Sequence, residues 1–336
     1  MKKKIYFRVD MNSQIATGHM MRCLSIADEV REQGGKAVFI ISDENACNLL
    51  DERGFEYIVL NTQWNKMEDE LPILKKIIDE HNIERLVIDS YYASEKYLEA
   101  VSSLTKTLYI DDLNRKDLRV GAVLAYAVYA DKNFYKNYYL KNNTEILIGA
   151  DYTPLRRVFM DVPDKEIRQN IENVLILSGG SDPYDTVSRC IDVMLDNDVK
   201  DIVAVCGRYS GRAEIIKDTY KDQHRVHVLD HVDNLEKYMQ QADLCISAAG
   251  TTLYELCACG TPTLSYILAD NQIDNAIGFG KKGIIPCLGD VRKDDITNSI
   301  NENLNKIKSE NIRKELSGKM KTVVDGKGCI RIIDRM

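Results

Sequence analysis

The chain has 336 residues, with 45 basic against 52 acidic side chains and a net charge of −7, both signs being interspersed along its length. That length sets an expectation of about two domains, each with its own core, and the acidic balance argues against general affinity for nucleic acid, which needs a basic face, while leaving room for a local basic pocket. Nine cysteines, odd in number and mostly set in apolar runs, read as buried reduced thiols. Cys257 and Cys259 lack a second Cys or His pair at zinc spacing, so no metal site is expected. After Lys2 to Lys4 the apolar stretch is broken by Arg8 and Asp10 too soon for a signal peptide. No run approaches membrane-spanning length. The expectation is a cytoplasmic protein without cofactor, nucleic-acid partner or stable membrane association; the sequence leaves its oligomeric state open.

Residues 4 to 10 alternate, with Ile5, Phe7 and Val9 on one side, and predict a first strand. Met11 to Gly18 is a polar loop, after which Met20, Leu24, Ala27 and Val30 recur at helical spacing up to Gly34-Gly35. Strand-like runs follow at 37–41, 57–60, 86–88, 107–110, 123–128 and 146–148, with helical patterns at 68–80 and 94–102. Strand and helix in alternation predict right-handed crossovers and a parallel sheet. Asp151 to Asn170, with Pro154, Pro163 and paired arginines, is expected to be a hinge. The pattern then restarts, with strands at 174–177, 202–205, 226–229, 244–246, 263–267 and 284–287 and helices at 186–195, 212–220, 234–241 and 252–259. Charged amphipathic segments at 293–308 and 311–324 complete the chain.

The expected fold class is therefore α/β, with two Rossmann-like domains facing across a cleft: 1–150, a hinge at 151–172, and 173–310, followed by a C-terminal helix within 311–336. Such folds bind ligands at the C-terminal ends of their strands.

Asp243 to Pro262 reads as strand, tight turn and helix. Its small residues, Ser247 to Gly250, let a ligand approach the backbone, and the first-turn N–H groups of the helix favour an anion such as a diphosphate. Thr252 and Glu255 also satisfy a Thr-x-x-Glu capping box, so Glu255 has two readings, helix cap or acceptor for ribose hydroxyls. Leu177-Ser-Gly-Gly-Ser-Asp-Pro183 is a second glycine-rich helix entrance, containing Gly179, Gly180 and Ser181, with Asp182 placed as N-cap and Pro183 as the first helical residue. The loop Asp230-His-Val-Asp-Asn234 adds His231 and Val232 after a further strand. Two such turns and this loop in one domain favour a nucleotide site.

In the first half, Gly18-His19 falls where the loop after strand one meets helix one, a setting for a general base. Asp89-Ser-Tyr-Tyr92 and Asp111-Asp112 follow buried strands, whose ends face the crevice, although turns and caps also use such residues. Asp270-Asn271-Gln272 reads either as a helix cap or as amide contacts to a polar sugar.

These residues, taken with Phe7-Arg-Val-Asp10, Ser13-Gln-Ile-Ala-Thr-Gly-His19, Ile88-Asp-Ser-Tyr91, Tyr109-Ile-Asp-Asp112, Pro154-Leu-Arg156, Leu177 to Asp182, Ser247 to Glu255 and Asp270-Asn-Gln272, resemble the UDP-sugar hydrolases of pseudaminic acid biosynthesis. Those enzymes are relatives of the MurG-type glycosyltransferases of GT-B fold. The resemblance implies hydrolysis of UDP-2,4-diacetamido-2,4,6-trideoxy-β-L-altropyranose, with the anomeric C–O bond broken and the centre inverted. It implies His19 as catalytic base, with Tyr91 and Asn271 near the sugar and the attacking water. Gly179, Gly180, Ser181, His231, Val232, Ala249, Gly250, Thr251, Thr252 and Glu255 would hold UDP, and Asp10, Gln14, Asp112, Arg156 and Gln272 the sugar. Ala16 stands where that family commonly has glycine, which bears on the sugar more than on the reaction. The alternative is a GT-B glycosyltransferase using the same UDP site with a sugar or lipid acceptor. A dehydrogenase is disfavoured, since no Gly-x-Gly-x-x-Gly follows the first strand.

Overall fold

The lysine that opens β1 (Lys4–Val9) is exposed and the five residues after it are buried, so both faces of the strand are covered, as a central strand of a parallel sheet requires. A computed structural model describes the whole chain except residues 1–2, Ser13, Ala16, 140–142, Ser181, Asp198, 208–210 and His231. It divides into two units, Met1–Arg157 with Gly326–Met336, and Val158–Asp325.

In the first unit β1 pairs in parallel with β2 (Lys36–Ile41) on one side and, beyond β3 (Glu56–Val59) in sequence, with β4 (Arg85–Asp89) on the other. With β5 (Lys106–Ile110), β6 (Ala122–Ala125) and β7 (Glu145–Ile148) the sheet has seven strands in the order β3-β2-β1-β4-β5-β6-β7. The winding direction reverses between β1 and β4, and this is where a doubly wound sheet opens a crevice at its strand C-termini. Helices α1 (Gly18–Glu32), α2 (Cys47–Glu52), α3 (Met67–Glu80), α4 (Glu95–Ser102) and α5 (Lys132–Tyr139) supply the crossovers.

Two features differ from the sequence expectation. The strand expected at 123–128 ends at Ala125, whose carbonyl accepts the last ladder bond from Gly149, and a turn closed by Ala130 N–H on Ala127 carbonyl follows. Helix α5 was not expected because its run of aromatic and polar residues has little helix propensity; Tyr135 and Tyr139, one turn apart and fully buried, hold it to the core instead.

The second unit repeats the plan with β8 (Asn173–Leu177), β9 (Asp201–Cys206), β10 (Val226–Asp230), β11 (Leu244–Ala248), β12 (Thr263–Ile267) and β13 (Cys287–Asp290) in the order β10-β9-β8-β11-β12-β13. Its reversal lies between β8 and β11. The helices are α6 (Thr186–Asp196), α7 (Ala213–Thr219), α8 (Leu235–Gln241), α9 (Thr252–Cys259), α10 (Ile273–Lys281), α11 (Ile296–Ile307) and α12 (Glu310–Lys321). The strand expected at 284–287 starts only at Cys287. Gly283, at φ 60°, ends α10, Ile284 N–H returns to the Phe279 carbonyl, and Pro286 has no N–H to give. The apolar pair Ile284-Ile285 thus belongs to a helix C-cap.

After α12 the chain returns to the first unit with α13 (Gly328–Arg335), which packs on α1. Its C-terminal carbonyls accept from three basic side chains at the start of the sheet: Lys3 to Ile333 (2.5 Å), Lys106 to Arg335 (2.7 Å) and Arg85 to Met336 (2.6 Å). Cations at a helix C-terminus complement its dipole. At the other end Gly328 lies so close to Thr153 that a Cβ there would sit 2.0 Å from the Thr153 carbonyl oxygen. Gly328→Ala is expected to lower the stability of the first unit by about 1–3 kcal/mol, read as a reduced midpoint in thermal unfolding; an unchanged midpoint would contradict this packing.

Candidate active site

The crevice end of the first sheet gathers polar residues from four elements. Asp89 is the last residue of β4, Asp112 lies two residues beyond β5, Tyr126 one beyond β6, and His19 and Arg22 sit three apart on the first turns of α1, hence on one face. His19 Nδ1 is 2.5 Å from Asp89 Oδ1. Arg22 grips the same carboxylate with two nitrogens, Nε to Oδ2 at 2.6 Å and Nη2 to Oδ1 at 2.5 Å. Its Nη1 donates to Asp112 Oδ2 at 2.7 Å and to the Tyr126 hydroxyl at 2.8 Å. The Tyr91 hydroxyl donates to Asp112 Oδ2 at 3.1 Å, and its ring meets the His19 ring edge-on with centroids 4.5 Å apart.

Asp89 is buried. Burial alone would push its carboxyl up, but the Arg22 guanidinium and the adjoining imidazole outweigh that and hold it well below the usual carboxylate range. An ionised carboxylate only accepts, so Asp89 takes the Nδ1 proton of neutral His19 and leaves Nε2 with a free lone pair. Burial, reinforced by Asp112, pushes the Tyr91 hydroxyl well above its ordinary value, which keeps it a donor at neutral pH. Chemically, a histidine held by a carboxylate in this way can act as a base, as in the second half of a triad.

His19, Tyr91 and Asp112 are thus brought together. Asp10 lies in a different network: its Oδ2 accepts from Arg8 Nη1 (2.6 Å) and its Oδ1 from the Ser42 amide (2.7 Å), while Glu70 binds the rest of the Arg8 guanidinium and the Tyr97 hydroxyl. Gln14 is exposed in a turn whose amides, those of Gln14 and Ile15, bond Asn12 Oδ1. Arg156 is half-buried between two single 3-10 turns, Ala150–Tyr152 and Arg157–Phe159. Asp111 caps its own loop, accepting from the amides of Leu113 and Arg115 and from Tyr135.

In the second unit the turns after β8 and β11 lie side by side, a Cβ at Gly179 reaching within 3.7 Å of the Ala248 Cβ. Helix α6 starts at Thr186 rather than at Pro183. Asp182 nevertheless serves it from outside, its carboxylate accepting from the amides of Thr186 (2.8 Å) and Val187 (3.0 Å). That helix end is therefore already occupied by an anion.

Helix α9 differs. Its N-cap is Thr251, without a side-chain cap bond, so the expected Thr252–Glu255 box is one residue out of register with the cap. The carbonyls of Ala249 and Gly250 both accept from Asn275 Nδ2 (3.0 and 3.1 Å), and Asn275 Oδ1 accepts from Tyr254. In a trans peptide N–H and C=O point oppositely, so Asn275 turns the Thr251 amide away from itself. The amides of Thr251 and Thr252 have no carbonyl a turn earlier within the helix to bond, which suits an anion.

Gly179 (at φ 74°) and Gly180 are exposed beside this turn. Gly207, after β9, supports them from behind: a Cβ there would lie 2.0 Å from the Gly179 carbonyl oxygen. Gln272 folds its Oε1 onto the Leu268 amide (2.9 Å), and Asp270 is tied to Arg292, which also holds Asp290, leaving Asn271 exposed between them. Glu255 and Val232 are half-buried. Ser181 and His231, like Ala16 and Ser13 in the His19 loop, lie outside the described residues. No group of three or more potential metal ligands occurs among the described residues, and none of their helices is long and apolar enough to cross a membrane.

Arg22 and Asn275 carry no motif that singles them out in sequence. The signal available was indirect: strand-end carboxylates inside a core need a cation, and Arg22 shares the helix face of His19.

Residues 174–327 match the Glycosyltransferase family 28 C-terminal domain. The crystal structure of MurG from Acinetobacter baumannii superposes with a TM-score of 0.73 over 99% of this chain and 98% of its own, at 16% identity. The fold is therefore that of the GT-B proteins, two parallel-sheet α/β units, and the second unit is similar to the family 28 C-terminal domain. Among curated relatives, it is 24% identical over 323 residues to the spore coat polysaccharide biosynthesis protein SpsG of Bacillus subtilis, covering 94% of this chain and 92% of that one. An uncharacterized protein of Methanocaldococcus jannaschii is 26% identical over 284 residues, 80% of this chain but only 56% of the longer relative. The Helicobacter pylori protein named pseudaminic acid cytidylyltransferase and UDP-2,4-diacetamido-2,4,6-trideoxy-β-L-altropyranose hydrolase is 26% identical over 203 residues, 59% of this chain and 37% of that one.

Asp89→Asn leaves the Arg22 charge buried against a neutral amide and is expected to cost about 3–5 kcal/mol at neutral pH. Because the folded carboxyl titrates below its unfolded value, its contribution is complete above about pH 4 and is lost as pH falls further. Denaturant unfolding at a series of pH values should therefore show the wild type converging on the variant in acid. A gap that is constant with pH would contradict the pairing.

Proposed function

We propose that the chain hydrolyses a UDP-linked diacetamido-trideoxyhexose, UDP-2,4-diacetamido-2,4,6-trideoxy-β-L-altropyranose, to UDP and the free sugar, in the cytoplasm and in the service of nonulosonic acid synthesis. The observation that carries this reading is the His19–Asp89 pair, in which Nδ1 is engaged by the carboxylate and Nε2 is left to accept a proton. Water gives a proton to Nε2 as its oxygen bonds to C1. The C1–O bond breaks, the electron pair leaves with UDP, and the configuration at C1 inverts. Tyr91 and Asn271 orient the sugar and the water. UDP rests on Gly179, Gly180, Ala249, Gly250, Thr251 and Thr252 of the second unit, with Ser181, His231 and Val232 alongside and Glu255 on the ribose. The backbone amides and helix dipole of α9 meet the charge that develops on the diphosphate. Asp112 and Gln272 complete the sugar contacts, whereas the engagement of Asp10 by Arg8 and Ser42 gives it a supporting place.

The likeness to the Helicobacter pylori hydrolase supports the reaction. The family 28 domain supports a second reading, transfer of the same glycosyl group to a sugar or lipid hydroxyl from the same UDP site. The two differ in the acceptor alone. With the UDP-sugar, a chelator and no added acceptor, anomeric-proton NMR should show UDP release and free inverted sugar; an intact, bound substrate would favour transfer. His19→Gln should lower turnover by a factor on the order of 100 with UDP affinity nearly unchanged, and wild-type turnover in that variant would remove His19 from the mechanism. Gly207→Ala, which drives a methyl into the Gly179–Gly180 turn, should weaken UDP binding by about tenfold or more in calorimetry. Unchanged affinity would place UDP elsewhere.

A further inference from the structure

Arg22 links the groups that orient His19 and Tyr91: it donates to Asp89 and to Asp112, and its Nη2 lies 3.0 Å from His19 Nδ1. On Asp89, the oxygen that accepts from Arg22 Nη2 is Oδ1, which also accepts from His19 Nδ1. On Asp112, the oxygen that accepts from Arg22 Nη1 is Oδ2, which also accepts from the Tyr91 hydroxyl. Each working side chain therefore shares its acceptor atom with one planar guanidinium. Tyr126, whose hydroxyl bonds Nη1 and whose ring lies 5.6 Å from the guanidinium carbon, holds that plane in place.

We propose that Arg22 is the positioning residue of the reaction: a single guanidinium fixes Asp89 as the partner of His19 and Asp112 as the partner of Tyr91, so that base and tyrosine are set in orientation together. The proposal rests on the reading of His19 as the base. Charge compensation alone would need only a cation, and a lysine would supply it. Bridging two carboxylates while locking the plane of one needs the fork of an arginine, whose nitrogens lie in fixed directions. Arg22 is itself buried, and its carboxylate neighbours more than offset the burial that works against its charge, so it stays protonated throughout the working pH range. The groups facing it are His19, Asp89, Asp112, Tyr91 and Tyr126, with the Cys23 thiol 3.6 Å from Asp89 Oδ2.

The test is Arg22→Lys, which keeps the charge and removes the fork. Nitrogen-15 NMR of the histidine rings, with the His19 signals assigned by their loss in His19→Gln, reports the tautomer without any substrate. Neutral His19 in the wild type should be protonated at Nδ1 alone. In Arg22→Lys it should become a mixture of tautomers, with kcat lower by on the order of tenfold or more and KM for the UDP-sugar changed by less than about threefold. A variant that unfolds at lower temperature but keeps the single tautomer and the wild-type kcat would overturn the proposal, leaving Arg22 a structural cation.

Should Arg22→Lys not fold, Tyr126→Phe takes its place. Loss of one hydroxyl should loosen the guanidinium and lower kcat by about threefold or more at unchanged KM, and an unaltered kcat would overturn the proposal. If the wild type releases no UDP from the sugar, the functional reading fails, while the tautomer comparison still decides the role of Arg22.

Discussion

A buried carboxylate must be paired or it will not stay charged, and in the first unit that constraint falls on Asp89. Its place is fixed by the backbone: it is the last residue of β4, at the point where the winding of the sheet reverses. Arg22 answers its charge and His19 uses what is left of its hydrogen-bonding capacity. Asp112, Tyr91 and Tyr126 follow from Arg22 in turn. The whole polar cluster is held by the ion pairs that one guanidinium makes with Asp89 and Asp112, and the chemistry assigned to it depends on Asp89 remaining ionised.

In the second unit the two glycine-rich helix entrances differ in how the protein's own groups engage them. At α6 the carboxylate of Asp182 fills the helix entrance. At α9 the side chain of Asn275 binds the carbonyls on one side of the turn and so commits the amides to the other. Of the two glycine-rich entrances, the α9 turn is thus the one we propose receives a phosphate, and the Gly179–Gly180 turn is its exposed neighbour, seated on Gly207.

Much of this was legible in the sequence. Continuous apolar runs such as Leu244 to Ile246 mark strands covered on both faces, and the polar or small residues that follow them, among them Tyr91, Asp112, Gly179 and Gly250, fall at strand C-terminal ends in the structure as expected, with His19 at the start of α1. What could not be read is of three kinds. Arg22 and Asn275 sit in amphipathic helices where a polar residue is unremarked, and only the fold shows what they face. Helix α5 runs against local propensity and is held by tyrosine packing. The Ile284-Ile285 pair has the composition of a strand, but Pro286 and Gly283 move the pairing three residues on, to Cys287. In each case tertiary contact outranks the local pattern.

The central claim is that water, activated by the Nε2 of His19, attacks the anomeric carbon. The direct measurement is mass spectrometry of both products after turnover of the UDP-sugar in water enriched in heavy oxygen. Attack at carbon places the label in the free sugar and leaves UDP unlabelled, which is the result expected here. Label in UDP would mean attack at phosphorus, and the role given to His19 would be wrong.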